Sequence, residues 1–209
     1  MHYLIITACI NNKFGLQHTE TRKKEYLSAI TETLTHLPPS ITPIIVENNG
    51  KRPTYLDEFY HNQVQVPVVY TTNNNRHLAH KGMIELLDIK EVIEQYNIKH
   101  DDIIIKLTGR YTVISPLFFK MVLSYPGTDA FVKFFNVCTQ QYDPNDSVLG
   151  MFAVRCHLLR FWSYLTMHYY SSPEVAFADY IRTHATTIRE VDQLDIECVF
   201  AEDGRRLRV

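Results

Sequence analysis

The chain has 209 residues, with 21 Lys and Arg against 23 Asp and Glu, and its formal net charge of −2 excludes the basic excess of a general nucleic-acid binder. Hydrophobic residues at 45% and charged residues at 21% are the proportions of an ordinary folded domain. A domain of this size buries roughly 70% of its unfolded surface, enough for a real core.

Residues 3–10, YLIITACI, read as a buried strand. The run has no basic flank and is too short to span a bilayer, and no later window is long enough, so a soluble, cytoplasmic protein without membrane insertion is expected. After a polar segment, Thr21 is placed to cap a helix over 22–36 with Tyr26, Leu27, Ile30 and Leu34 as its apolar stripe. Pro38-Pro39 stops that helix. A second strand, TPIIV at 42–46, breaks at Glu47-Asn48-Asn49-Gly50, where Asn-Gly is a strong turn signal. A short helix is expected over 55–62, a third strand over 64–71 and a polar loop over 72–75. The long helix at 81–96 carries Ile84, Leu87, Ile89, Val92 and Ile93 toward the core. The strand at 102–107 contains Ile103-Ile104-Ile105, a β-branched run suited to burial on both faces, and stops at Thr108-Gly109-Arg110-Tyr111. Ser115-Pro116 then opens a helix with Pro at its first position. Strands at 129–135 and 148–154, an aromatic-rich helix over 157–170, a last helix over 174–184 and a terminal strand at 196–200 complete the chain, with Gly204 turning it into a basic tail. The four cysteines, Cys9, Cys138, Cys156 and Cys198, stand far apart, which points to reduced thiols rather than a zinc site or a disulfide framework.

Strands alternating with helices predict one α/β domain with a mostly parallel central sheet flanked by helices on both faces. In such a sheet the polar ends Thr7-Ala8-Cys9, Glu47-Asn48-Asn49 and Thr108-Gly109-Arg110 converge on one edge, beyond the carboxyl ends of the strands, where ligands bind. The Thr-Gly-Arg-Tyr cluster offers amides, a hydroxyl, a guanidinium and a stacking face; read blandly, Gly109 only allows positive φ and Arg110 is solvated. Lys81 adds an ammonium to a helix N-terminus suited to phosphate, or is a surface lysine. Glu174 in Ser-Pro-Glu is a helix-start carboxylate by default and a general base by alternative. Asp143 and Asp146 are turn formers or acids near an acceptor or a metal, and His77 and His80 are a loop pair. Asp101 and Asp102 begin their strand, some 20 Å from the crevice at about 3.3 Å per residue, and read as turn and cap residues. Neither GxGxxG nor GxxxxGK[ST] is present, so the dinucleotide fingerprint and the P-loop are absent.

Taken together, YLIITACI with Arg22 and Tyr26, IIVENNG with Thr54 and Leu56-Asp57, HKGMIELLDIKEVI, IIIKLTGRY and SPEVAFADYI resemble nucleotide-sugar glycosyltransferases of the GT-A fold. Within these the chain is most similar to the small enzymes of large DNA viruses, such as those of chlorella viruses that glycosylate the major capsid protein. The resemblance implies transfer of a sugar from a nucleotide sugar, a UDP-sugar foremost, to a glycan or glycoprotein acceptor, in the host cytoplasm if the source is viral. It implies a nucleotide-binding half over about residues 1–112 and an acceptor-side half over about 113–209. Thr7 and Ala8 would lie against the nucleoside, Glu47 near base or ribose, and Lys81 and Arg110 near the diphosphate; Arg22, Asn48, Thr108 and Gly109 belong to the same donor site, and Glu174 is the base if the enzyme inverts. Such enzymes hold Mn²⁺ or Mg²⁺ with an Asp-x-Asp at the end of the fourth strand, where this chain has Thr108-Gly109-Arg110. Either Arg110 partly replaces the metal charge, or another acid such as Asp143 or Asp146 holds the Mn²⁺ or Mg²⁺ that the resemblance implies as cofactor. The alternative reading is a non-catalytic nucleotide- or glycan-binding module of the same fold; a nucleotidyltransferase ranks third, lacking the usual Gly-rich N-terminal loop. Arg110→Ala is expected to weaken donor binding with little change in folding stability.

Overall fold

The computed structural model describes residues 1–11, 13, 18–50, 55–200 and 204–209; Thr54 lies outside them. β1 (His2–Ala8), α1 (Thr19–His36) and β2 (Ile41–Glu47) open the chain. A hairpin of β3 (Tyr60–His61) and β4 (Val64–Gln65) precedes β5 (Val68–Tyr70), a 3₁₀ turn at Asn73–Asn75 and α2 (Lys81–Gln95). β6 (Ile103–Thr108), β7 (Thr112–Val113), α3 (Leu117–Ser124), β8 (Ala130–Val132) and β9 (Met151–Arg155) follow. The chain then forms α4 (Cys156–Phe161), a 3₁₀ segment at Tyr164–Tyr169, α5 (Pro173–His184), β10 (Ile188–Glu190), β11 (Ile196–Val199) and β12 (Arg206–Arg208).

The main sheet has the order β10-β8-β9-β6-β1-β2-β5. β1 runs parallel to both β2 and β6, with Thr7 beside Thr108 and Ala8 beside Glu47. The three polar strand ends therefore do meet on one edge. β9 runs antiparallel between β6 and β8. Period-two alternation divides the core: Leu4 and Ile6 face α1 and α3 with Tyr26, Ile30, Phe118 and Phe119, while Tyr3 and Ile5 face α2 and α5 with Met83, Leu86, Ile89 and Phe177. This is the expected α/β fold, a mostly parallel sheet between two helical layers. A second, antiparallel sheet, β12-β11-β7, grows from the residues just beyond β6.

Several expected elements differ. The first helix begins at Thr19, its N-cap is His18, and Thr21 lies inside it. No helix spans 55–62; Asn62 and Gln63, at φ 50° and 65°, turn the β3–β4 hairpin, and two successive left-handed residues make the primed turn that matches strand twist. The expected strand at 64–71 is split because Pro67 has no N–H to donate: β4 pairs away from the main sheet, and only after Pro67 accepts from Ile45 N at 3.0 Å does β5 join it. In α2 the buried residues are Met83, Ile84, Leu86, Asp88, Ile89, Val92 and Ile93, with Leu87 half-buried. The aromatic helix at 157–170 breaks after Phe161, where Trp162 is drawn into the core against Phe177 and Tyr180; Ser163 Oγ then caps the 3₁₀ segment by accepting from Leu165 N. Pro116 sits at the N-cap of α3 rather than its first position. The strand expected at 129–135 is confined to 130–132, the one at 148–154 runs 151–155, and the basic tail forms β12.

Candidate active site

A cavity of about 230 Å³ opens beyond the end of β6, between the starts of α2 and α5 and the end of β11. Lys81, Glu85, Lys106, Thr108, Arg110 and Glu174 line it. Two helix starts converge here because Gly82 lets them: a Cβ at position 82 would lie 2.6 Å from Pro173 Cβ. The two starts differ in chemistry. α5 is capped by Ser172 Oγ, which accepts from Val175 N at 3.2 Å, and carries Glu174 in its first turn. α2 has no side-chain cap from His80 and no acid in its first turn, so its positive end is left for a ligand or solvent.

Lys106 stands on the floor of the cavity in the middle of β6, with its side chain 3% exposed. Its ammonium donates to Glu85 Oε2 at 2.7 Å, Thr108 Oγ1 at 2.7 Å and the Leu149 carbonyl at 2.8 Å, one acceptor for each N–H. Glu85 also faces Lys81 Nζ at 3.5 Å. Burial works to raise the Glu85 carboxyl, but Lys106 and then Lys81 overcome it and hold the group down at about 2. Neither Lys106 nor Glu85 is among the site residues expected from the sequence. The signal was present: a lysine inside a continuous apolar strand must find a buried partner.

Glu174 contributes the second carboxyl. Burial raises its proton affinity, its own amide and the Ser172 hydroxyl work the other way, and Asp146 and Glu85 add to the rise. Its backbone carbonyl accepts from Ser147 Oγ at 2.8 Å, which ties α5 to the loop holding Asp143 and Asp146. Those two acids make turn contacts: Asp143 Oδ1 accepts from Asn145 N and Asp146 Oδ1 from Ser147 N. Asp102 Oδ2 accepts from Lys99 N at 2.8 Å, the expected turn role.

The other expected donor residues lie around the β1–β2 end of the same edge. Thr7, Ala8, Asn48, Lys81 and Thr108 enclose a small void of about 10 Å³, room for no more than about one water. Arg22 is buried and donates to the Cys9 carbonyl at 2.6 and 3.2 Å. Glu47 is fully buried and accepts from Ile10 N, Asn49 N and the Tyr55 hydroxyl. Asn48 donates to Asp88 Oδ2 at 3.0 Å, while Thr71 and Asn73 donate to Asp88 Oδ1 at 2.6 and 2.9 Å. Arg22, Glu47 and Asn48 therefore brace the edge from behind and do not line the large cavity.

Two readings of the central cluster need correction. Gly109 does not have positive φ; it is needed for close approach, since a Cβ there would lie 2.9 Å from the Thr7 carbonyl oxygen and 3.0 Å from the Tyr26 ring. Arg110 is not solvated: it is 5% exposed, donates from Nη1 to Glu25 Oε2 at 2.9 Å and from Nη2 to the Val199 carbonyl at 3.2 Å, and its Nε is buried without a partner among the described residues. Its removal cannot leave folding untouched, because it joins α1 to β11.

Among the described residues, the carboxylates that Mn²⁺ or Mg²⁺ requires are not assembled at this strand end. The strand end offers Thr108-Gly109-Arg110, Glu85 is held between two ammoniums, and among the described residues no group of three or more His, Cys, Asp or Glu comes together. Among the same residues no helix is long and apolar enough to cross a membrane.

The fold that holds this cavity, a mostly parallel sheet flanked by helices on both faces, is the architecture of GT-A-like domains. Solved structures share it. TarS of S. aureus superposes with a TM-score of 0.58 at 12% identity, over 94% of this chain and 60% of that one. LgtC gives 0.57 at 7% identity, over 90% and 72%. A Desulfovibrio desulfuricans protein named as a nucleotide-diphospho-sugar transferase gives 0.55 at 7% identity, over 91% and 79%. The chain thus spans less than two thirds of the TarS structure. No protein-family model matches the sequence, and neither does any curated protein.

Proposed function

We propose that the protein is a glycosyltransferase that moves a sugar from a nucleotide sugar, of the UDP class, to a hydroxyl of a glycan or glycoprotein, with a capsid glycan of a large DNA virus as the acceptor favoured by the sequence resemblance and the cytoplasm as its site of action. One observation carries the reading: a single cavity is lined both by Lys81, at the uncapped start of α2, and by Glu174, in the first turn of α5. The first suits a diphosphate, the second an acceptor hydroxyl. Thr108 and Arg110 line the cavity beside the diphosphate, with Gly109 keeping that strand end close to Thr7; Thr7 and Ala8 form the nucleoside side, and Arg22, Glu47 and Asn48 hold that side in shape.

In the reaction the acceptor oxygen bonds to the anomeric carbon as the bond from that carbon to the diphosphate oxygen breaks. The leaving diphosphate departs with the electron pair, and the hydroxyl proton passes to Glu174. Burial makes Glu174 a stronger base than an exposed carboxylate, which serves this step. A base on the acceptor side goes with inversion at the anomeric carbon.

The test is incubation with a panel of nucleotide sugars and glycan acceptors, scoring free nucleotide and donor-dependent protection against heating. Turnover is expected with one donor class, and Glu174→Gln is expected to lower it roughly 100-fold to 10,000-fold while donor protection persists. Protection without turnover in the parent protein would make it a binding module instead. No response to any donor would overturn both readings.

A further inference from the structure

We infer that the donor diphosphate is held without a divalent cation, by the uncapped start of α2 and Lys81, with Glu85 and Lys106 as the strut that keeps Lys81 in place. This deepens the proposed function and rests on it.

The first argument is about where a cation would bind. A divalent ion needs carboxylate oxygens not already neutralised, and Glu85, in the cavity wall, lies 2.7 Å from one ammonium and 3.5 Å from another. The other carboxyl lining the cavity among the described residues, Glu174, belongs to a different helix and sits in a capped first turn. The second argument is charge. An Asp-x-Asp pair holding a divalent ion sums to zero, and so do Lys81 and Lys106 against Glu85 and an ionised Glu174. The helix start adds roughly half a charge more. The site thus presents a diphosphate with at least as much positive charge as a metal centre would.

The third argument is the set of donors still unused. The His80 side chain does not cap α2, whose 15 residues give a full dipole, and no acid in its first turn competes for it. Arg110, which also lines the cavity, has a buried Nε without a hydrogen-bond partner among the described residues. An unpaired buried N–H is costly, and an anionic oxygen is the acceptor that would relieve it. Lys106 itself has no donor to spare, since three acceptors take its three N–H groups. It is a positioning residue: it fixes the Glu85 carboxylate, and that carboxylate holds Lys81, whose side chain is 34% exposed, toward the cavity.

Calorimetric titration of the full chain with UDP, GDP, ADP and dTDP, in EDTA and again in excess Mn²⁺, tests this. At least one nucleotide is expected to bind, with affinities in the two conditions within about threefold, which is well under the ~1.4 kcal/mol of a tenfold change. Lys81→Ala, at a half-exposed position that should fold normally, is expected to weaken binding roughly tenfold to 150-fold, the range for one lost charge-assisted hydrogen bond, and Mn²⁺ should not restore it. The double variant Lys106→Met with Glu85→Gln leaves no buried ion alone; once shown folded by circular dichroism, it is expected to bind more weakly than the parent while remaining indifferent to EDTA. Binding that appears only with Mn²⁺ would overturn the inference and leave the proposed function standing. Unchanged affinity in Lys81→Ala, or in the folded double variant, would overturn it as well. No binding of any nucleotide in either condition would overturn the inference and the proposed function together.

Discussion

Arg110 shows how one residue can be legible in type and misread in context. A guanidinium just past a buried strand is a natural ligand for a phosphorylated molecule, but here two of its nitrogens are engaged by Glu25 and the Val199 carbonyl. Arg110→Ala should therefore lower stability even without ligand, by about 1.5–3 kcal/mol, the range for hydrogen bonds to charged groups, with the low end favoured because Glu25 is 23% exposed and its ion pair partly screened. Urea unfolding of the ligand-free variant measures it, and an unchanged midpoint would mean that the contacts to Glu25 and Val199 contribute nothing. Arg110→Lys should recover only part of the loss, since an ammonium cannot serve two separated acceptors as a planar fork does.

At the scale of elements, the cavity exists because α2 and α5 approach at Gly82. Gly82→Ala sets two effects against each other. Alanine gains up to about 1 kcal/mol in helix propensity, less near an end, while a Cβ 2.6 Å from Pro173 overpacks the junction at a cost of roughly 1–3 kcal/mol. The steric term should win, giving a net loss of up to about 2 kcal/mol and a larger one for Gly82→Val. Thermal melting checks the stability, and because α5 carries Glu174, turnover should fall more than donor binding does. A stabilised Gly82→Ala would show that the two helix starts are not in close contact. Gly150, in the turn just before β9, repeats the theme: a Cβ there would lie 2.1 Å from the Tyr111 ring, so that tyrosine rests on backbone.

At the scale of the molecule, Asp88 ties stability to pH. It is fully buried, and burial raises its carboxyl to about 7 despite hydrogen bonds from Thr71, Asn73 and Asn48. An unfolded aspartate gives up its proton near ~3.9. Between those values the folded chain binds more protons than the unfolded one, so this contribution is full below about pH 4 and is lost as pH rises to about 7. Glu85, held at about 2, acts in the opposite sense: its contribution is present above ~4.5 and is lost as pH falls toward 2. Denaturant midpoints from pH 4.5 to 8 should therefore decline toward neutrality in the parent and flatten in Asp88→Asn. The variant is expected to fold, because the Asn48 Oδ1 now lacks a partner and an amide turned over can accept from the new side chain. A parent and variant with the same pH slope would remove Asp88 as its source.

The sequence by itself determined the α/β class, the parallel core strands and the edge on which Thr7, Glu47 and Thr108 meet. Those follow from short-range facts: β-branched runs, helical apolar stripes, and the rule that parallel strands end on the same side. It also marked Lys81 and Glu174 as helix-start residues, and they line one cavity. Only the tertiary structure decided which polar residues face that cavity and which brace it from behind. Lys106 and Glu85 are 21 positions apart in the sequence and 2.7 Å apart in space. Arg110 meets Glu25 across 85 positions. Pairings of that kind are set by the register of strands and the docking of helices, through contacts between distant residues that no local pattern encodes.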